Sequence, residues 1–202
     1  MVGKILCWVV AGMFLVLPGL AQEIYQEEPV ENFEKNVYSK NDSIVQAYQP
    51  DISITEMVTA HPESAKALYL RMQKSLDTPV TLLLKKPYET SAFIHSIRLY
   101  VFSSGFSGQL SVLIRNKQDE IKSIPLCNLN YSGWKKIEIG LGKYLNQEDY
   151  AIFRNEKQII QGLVLQGSDL KAGRENILIL DDIVLLVRKK MLVPDHVKKL
   201  MQ

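Results

Sequence analysis

In residues 134–141, WKKIEIGL, polar and apolar side chains alternate, with Ile137, Ile139 and Leu141 on one parity and Lys136 and Glu138 on the other. Successive side chains of a strand point to opposite faces, so this pattern makes a half-buried β-strand and argues against an amphipathic helix. The same period of two recurs along most of the chain. It predicts strands at 30–34, 43–49, 66–73, 80–85, 94–103, 108–116, 120–126, 134–141, 160–166 and 176–189. Turn-forming stretches separate many of them: SSGFSG at 103–108, NKQD at 116–119, NLNYSG at 128–133 and DLKAG at 169–173. Short strands spaced by turns, with no strand–helix rhythm, give an all-β fold, an antiparallel two-sheet β-sandwich. Two stretches depart from the pattern. TEMVTAHPESAK (55–66) and GKYLNQEDYAIFRNEKQ (142–158) are each compatible with a helical turn in a connection.

The N-terminus follows a different rule. MVGK is a short basic start, ILCWVVAGMFLVL an apolar core, and PGLA a helix break followed by small residues. Gly19 and Ala21 stand at the positions expected before cleavage at Gln22, so residues 1–21 read as a secretory signal peptide. No later apolar run reaches membrane-spanning length, so the cleaved chain has no membrane span. Residues 22–30, QEIYQEEPV, read as a mobile lead-in, 31–190 as one sandwich domain and 191–202 as a C-terminal tail. Cleavage leaves about 180 residues, enough to bury roughly 70% of the unfolded surface in a single core. It also leaves Cys127 as the lone cysteine, so an exported domain of this kind depends on packing rather than on an internal disulfide.

Composition narrows the function classes. The chain is 47% hydrophobic and 23% charged with a formal charge of +2, too apolar for a disordered protein and too balanced for an electrostatic nucleic-acid binder. His61, His95 and His196 are far apart and lack metal-ligand spacing. Cys127 has no histidine beside it and reads as a half-buried structural thiol. No nucleophile elbow, zinc-protease helix, phosphate-cradling glycine loop or cysteine pair is present, so no catalytic residue and no cofactor is assigned. SSGFSG joins two strands and is a hairpin turn.

Within ILILDDIVLLV (177–187) both parities are apolar, yet Asp181 and Asp182 stand side by side. Adjacent strand residues face opposite ways, and a buried carboxylate costs several kcal/mol unless paired or bound to a cation. Three arrangements answer this. A bulge could turn both carboxylates to solvent or backbone N–H groups. Asp182 could join Glu34 in a structural cation site. A partner could cover the outer face.

The stretches VENFE, SAKALYLRMQ and LDDIVL, in that order, resemble galactose-binding-like, jelly-roll carbohydrate modules. A closer likeness runs from Ile94 to Leu186: a hairpin (IRLYVFSSGFSGQLSVLIRNKQDE), then Gly133-Trp134-Lys135-Lys136, then Tyr144-Leu145-Asn146-Gln147, then Gly162-Leu163 with Gly167, then Asp181-Asp182. Their order and spacing resemble the flagellar filament outer-layer (FlaA) family, the sheath proteins of spirochaete periplasmic flagella. The resemblance implies a structural subunit of that outer layer in the periplasm, supporting filament stiffness, curvature and motility. It implies the flagellin core filament and other sheath subunits as partners. Flagellins that build a core carry long heptad-patterned helices at both ends, which this sequence lacks, so it would coat a filament. The side chains singled out for contact are Trp134, Lys135 and Lys136, with the loop carrying Tyr144, Tyr150 and Phe153. Trp134 has the parity of Lys136; it is either an interface anchor or an edge residue folded over the core. The alternative function is a secreted carbohydrate-binding module, for which Tyr38, Tyr48 and Tyr100 are the candidate aromatic platforms.

Overall fold

The computed structural model describes residues 25–36, 38, 43–44, 51–56, 64–72, 79–116, 119–145, 147, 150–151, 157–167 and 175–192. Residues 1–21, read as a signal peptide, and His61, His196, Tyr48 and Phe153 lie outside these residues.

The described residues are all strand, turn or connection, and no helix of theirs is long and apolar enough to cross a membrane. In chain order the strands are β1 (Gln26–Glu31), β2 (Ser43–Ile44), β3 (Asp51–Glu56), β4 (Lys66–Met72), β5 (Val80–Thr90), β6 (Phe93–Ser104), β7 (Gly108–Arg115), β8 (Ile121–Asn128), β9 (Ser132–Gly140), β10 (Tyr150–Ala151), β11 (Gln158–Gly167), β12 (Asn176–Arg188) and β13 (Met191–Leu192). One sheet runs β3-β4-β12-β6-β9, with β1 also on β12; the other runs β2-β5-β11-β7-β8. Every pairing in both sheets is antiparallel, and β10 and β13 form a small parallel pair beside them. The protein is an all-β, two-sheet jelly-roll sandwich.

One apolar core fills the space between the sheets. Ile97, Leu99 and Val101 of β6 enter it from one side, and Leu110, Val112 and Ile114 of β7 from the other, all at most 1% exposed. Each such side chain contributes about 1.5–3 kcal/mol by leaving water. Gly162 in β11 lies close against the backbone of β5. A Cβ there would lie 2.1 Å from the Leu82 carbonyl oxygen, so only glycine fits. Leu83 faces Gly162 and Tyr88 faces Ile160, so residues 84–87 of β5 bulge between them, which explains why the alternation of β5 breaks at 85 while the strand continues to Thr90.

The aspartate pair lies at a bulge. Between Asp181 and Val184 the pairing of β12 with β6 slips, and Asp182 has φ 45°, in the left-handed region. The slip exchanges the inward parity: Leu178 and Leu180 face the core before it, Ile183, Leu185 and Val187 after it. The neighbour changes at the same place. β4 pairs with residues 176–180 of β12, and β1 pairs from Ile183 onward.

That arrangement corrects the mobile lead-in assigned to 22–30. Residues from Gln26 onward form β1, because β12 continues past the end of β4 and needs a second partner. The acidic residues of this stretch are partnered: Glu27 accepts two hydrogen bonds from Arg98, each 2.7 Å, and Glu28 accepts from the Tyr88 hydroxyl. The tail assigned from 191 begins with β13, and 193–202 lie outside the described residues. Of the two helical turns, 55–66 opens as the end of β3 with 57–63 undescribed. Among the described residues of 142–158 a turn forms at 141–145, closed by the Leu145 N–H on the Leu141 carbonyl at 3.0 Å.

Candidate functional site

β9 forms one edge of its sheet among the described residues, and Gly133 sets its start. Gly133 has φ 103°, a conformation that L side chains rarely adopt, and it delivers Trp134 to the sheet face turned away from the core. There Trp134 stands opposite Phe102 of β6, the rings edge-to-face at a centroid separation of 5.7 Å. Phe102 is opposite Ile179 of β12, and Ile179 opposite Tyr69 of β4. Four large apolar side chains thus form one row across four strands, about 14 Å long at normal strand spacing. Trp134, Phe102 and Tyr69 are half-buried. The next row holds Lys136, Tyr100 and Asp181, and the one beyond it Glu138, Arg98 and Val184.

The other parity of β9 faces the sandwich. Ile137 and Ile139 are half-buried at its open side, and Lys135 places its ammonium 4.1 Å from the centre of the Tyr131 ring. Tyr131 donates its hydroxyl proton to the Val101 carbonyl at 3.1 Å. Cys127 lies beside it, and burial pushes its thiol up to about 11, so it stays protonated and poorly nucleophilic. Tyr144 sits beyond the other end of β9, about 20 Å of strand away from Trp134, half-buried against the core. The structure therefore places Trp134 and Lys136 on one surface, Lys135 on the opposite parity and Tyr144 at a separate end. Tyr150 belongs to β10, but its side chain lies outside the described residues, as does all of Phe153.

At the β12 bulge, Glu34 and Asp181 meet through Ser64. Glu34 accepts from the Ala65 and Lys66 backbone N–H groups at 2.7 and 3.0 Å, and these bonds hold its carboxyl below the usual range. The Ser64 hydroxyl lies 3.3 Å from Glu34, 3.1 Å from the Lys66 carbonyl and 3.0 Å from Asp181 Oδ1. One hydroxyl proton cannot serve three acceptors. Below about pH 6 a proton on Asp181, whose carboxyl is pushed up to about 6 chiefly by burial, supplies a second donor. The acidic residue joined to Glu34 is thus Asp181, where the sequence suggested Asp182. Among the described residues no group of three or more His, Cys, Asp or Glu side chains is placed to hold a metal ion.

Of the tyrosines considered as platforms, Tyr38 is in the core, donating to the buried Glu31 carboxylate at 2.8 Å. Tyr100 stands beside the aromatic row. Sequence reasoning missed Phe102, Ile179 and Tyr69. Their signal was present as large apolar residues on the non-core parity of three strands; the register that aligns them was not.

A family model for the flagellar filament outer layer protein FlaA matches residues 89–191, which hold β6 to β9, β11, β12 and the Trp134–Phe102 pair. Comparison with curated proteins finds no match. Among solved structures, an exo-β-agarase is similar at 12% identity and TM-score 0.52, over 78% of this chain and 24% of that one, a likeness of fold. The CBM22-1 xylan-binding domain of Paenibacillus barcinonensis Xyn10C matches at 12% identity and TM-score 0.45, over 85% of this chain and 100% of that one. A family 11 carbohydrate-binding module of a Clostridium thermocellum cellulase matches at 12% identity and TM-score 0.44, over 86% and 99%. With its family model covering half of the sequence, from β6 to the start of β13, the chain belongs to the flagellar filament outer layer protein FlaA family.

Proposed function

We propose that this protein is a structural subunit of the outer layer of a periplasmic flagellar filament, exported by its N-terminal segment, and that it coats a flagellin core together with other sheath subunits. The family match carries this reading. The outward row of Trp134, Phe102, Ile179 and Tyr69 supports it, since an apolar strip flanked by Lys136 and Arg71 has the make-up of a contact surface. A subunit of this kind acts by packing and by charge complementarity, and the reading assigns it no catalytic residue. Lateral contacts between stiff sandwiches would resist bending of the filament and set its curvature. The test is isolation of periplasmic flagella from the native cell, probed for this protein. Co-purification with filaments is the expected result; recovery only from the soluble fraction removes the reading.

A second reading, a secreted carbohydrate-binding module, is favoured by one observation. Aromatic side chains converge on a single sheet face, with Tyr100 next to the row and polar groups at its borders. Sugar rings stack on such platforms. Retardation of the purified protein in polysaccharide-containing gels, lost in Trp134→Ala, would support it, and unretarded migration across a panel of glycans would remove it.

A further inference from the structure

Among the described residues no strand pairs with β9 on the side away from β6. The free edge carries Trp134, Lys136, Glu138 and Gly140 on the outward parity and Lys135, Ile137 and Ile139 on the inward one. We propose that β9 pairs antiparallel with β9 of a second copy about a two-fold axis through Ile137, joining the two six-stranded sheets into one.

Charge complementarity selects this register. With Ile137 opposite itself, Lys136 of each copy faces Glu138 of the other, so two opposite-charge pairs form by symmetry. Sliding by one pleat in either direction sets Lys136 against Lys136 or Glu138 against Glu138, and like charges directly opposite are destabilising. Lysine on an edge strand ordinarily discourages pairing. Here it discourages the wrong registers and leaves one open.

The remaining positions agree. Trp134 falls opposite Gly140, where a Cβ would meet only the His95 carbonyl oxygen at 3.9 Å, leaving space beside an indole. Aromatic side chains packing over edge glycines stabilise strand pairs. On the inward parity the aliphatic stem of Lys135 covers Ile139, and Ile137 meets its symmetry mate, so half-buried apolar surface at the mouth of the sandwich leaves water. The contact gives the outer-layer reading a partner but rests only on this edge.

Sedimentation equilibrium tests it. The purified chain is expected to dimerise within about 1 to 100 µM. Lys136→Glu and Glu138→Lys each turn both pairs repulsive, weakening the dimer about thirtyfold. Mixing the two variants restores association, because each then offers the charges the other lacks. A monomeric wild type, undiminished dimers in both variants, or a mixture that stays monomeric would overturn the proposal. Glu138 also lies near Arg98 of its own chain, so folding of Glu138→Lys is checked by circular dichroism. Should it not fold, amide exchange in β9 of the wild type decides: protection rising with protein concentration supports the pairing, and protection independent of concentration sinks it. Filament co-purification is read separately. A chain that dimerises through β9 but leaves filaments bare keeps this contact and loses the outer-layer reading; a monomeric chain on filaments does the reverse.

Discussion

Gln147 holds both backbone groups of Ile94. Its side-chain oxygen accepts from the Ile94 N–H at 2.8 Å, and its amide donates to the Ile94 carbonyl at 2.9 Å. A side chain thus stands where a neighbouring strand would, at the start of β6 and within the family-matched region. Ile94 is fully buried, so its backbone groups have little access to water. Gln147→Leu should cost about 2–4 kcal/mol, by losing two hydrogen bonds and leaving a donor and an acceptor unpaired. Urea unfolding followed by circular dichroism would show a lower midpoint with unchanged slope. A midpoint at the wild-type value would mean that water replaces the amide.

Asp181 makes stability depend on pH. Its carboxyl is fully buried, Oδ2 has no hydrogen-bond partner among the described residues, and burial pushes the group up to about 6. The folded protein therefore keeps this proton over a range in which the unfolded chain has lost it. The contribution is fully present below about pH 4, declines as pH rises to about 6, and is flat above, a loss of about 2–3 kcal/mol. Asp181→Asn, which keeps the shape and stays neutral, should remove this slope and leave the variant more stable than wild type at pH 7.5. Urea midpoints of both proteins at pH 4.5 and 7.5 measure it, and parallel changes in the two would refute the assignment.

Gly162 has no room for a methyl group. The Cβ of alanine would sit 2.1 Å from the Leu82 carbonyl oxygen and 2.9 Å from the Leu83 Cα, both backbone atoms of the paired strand. Relief requires β5 and β11 to separate at the middle of their sheet. Gly162→Ala should destabilise by about 3 kcal/mol or more, whereas Gly142→Ala, with nothing within 4 Å of its Cβ, should stay within about 0.5 kcal/mol. Thermal melts of the two variants side by side separate the prediction from a general intolerance of glycine replacement.

The strands could be read from the sequence because side-chain alternation is local, and so could the turns between them. What stayed hidden depends on register. The DD pair pointed to a bulge as one of three answers, yet the parity exchange it produces shows only in the pairing with β6, and the Ser64 hydroxyl that meets Asp181 comes from 117 residues earlier. β1 was hidden by composition: QEEPVE looks like solvated lead-in until Arg98 and Tyr88 are seen to receive its carboxylates. Gly133, Gln147 and Gly162 entered the sequence reading as parts of a family pattern. The structure gives each a physical reason: a left-handed φ, a substitute strand and a close approach of backbones.

Trp134 separates surface from core. Its ring lies on the outward face against Phe102, half-buried at a sheet edge, while its neighbours in sequence on the inward parity are the ones turned to the sandwich. An aromatic ring in the core costs about 3–5 kcal/mol to truncate, whereas loss of one edge-to-face contact and partial burial costs about 1–2 kcal/mol. Trp134→Ala should therefore fold, with a urea midpoint only slightly lowered and an unchanged far-ultraviolet spectrum. Cosedimentation with purified filaments should fall about tenfold or more, as expected when a central aromatic anchor is removed. Phe102→Ala, which takes away the ring that Trp134 leans on, should weaken the same binding. Undiminished cosedimentation of a folded Trp134→Ala would move the contact surface away from this face of the sandwich.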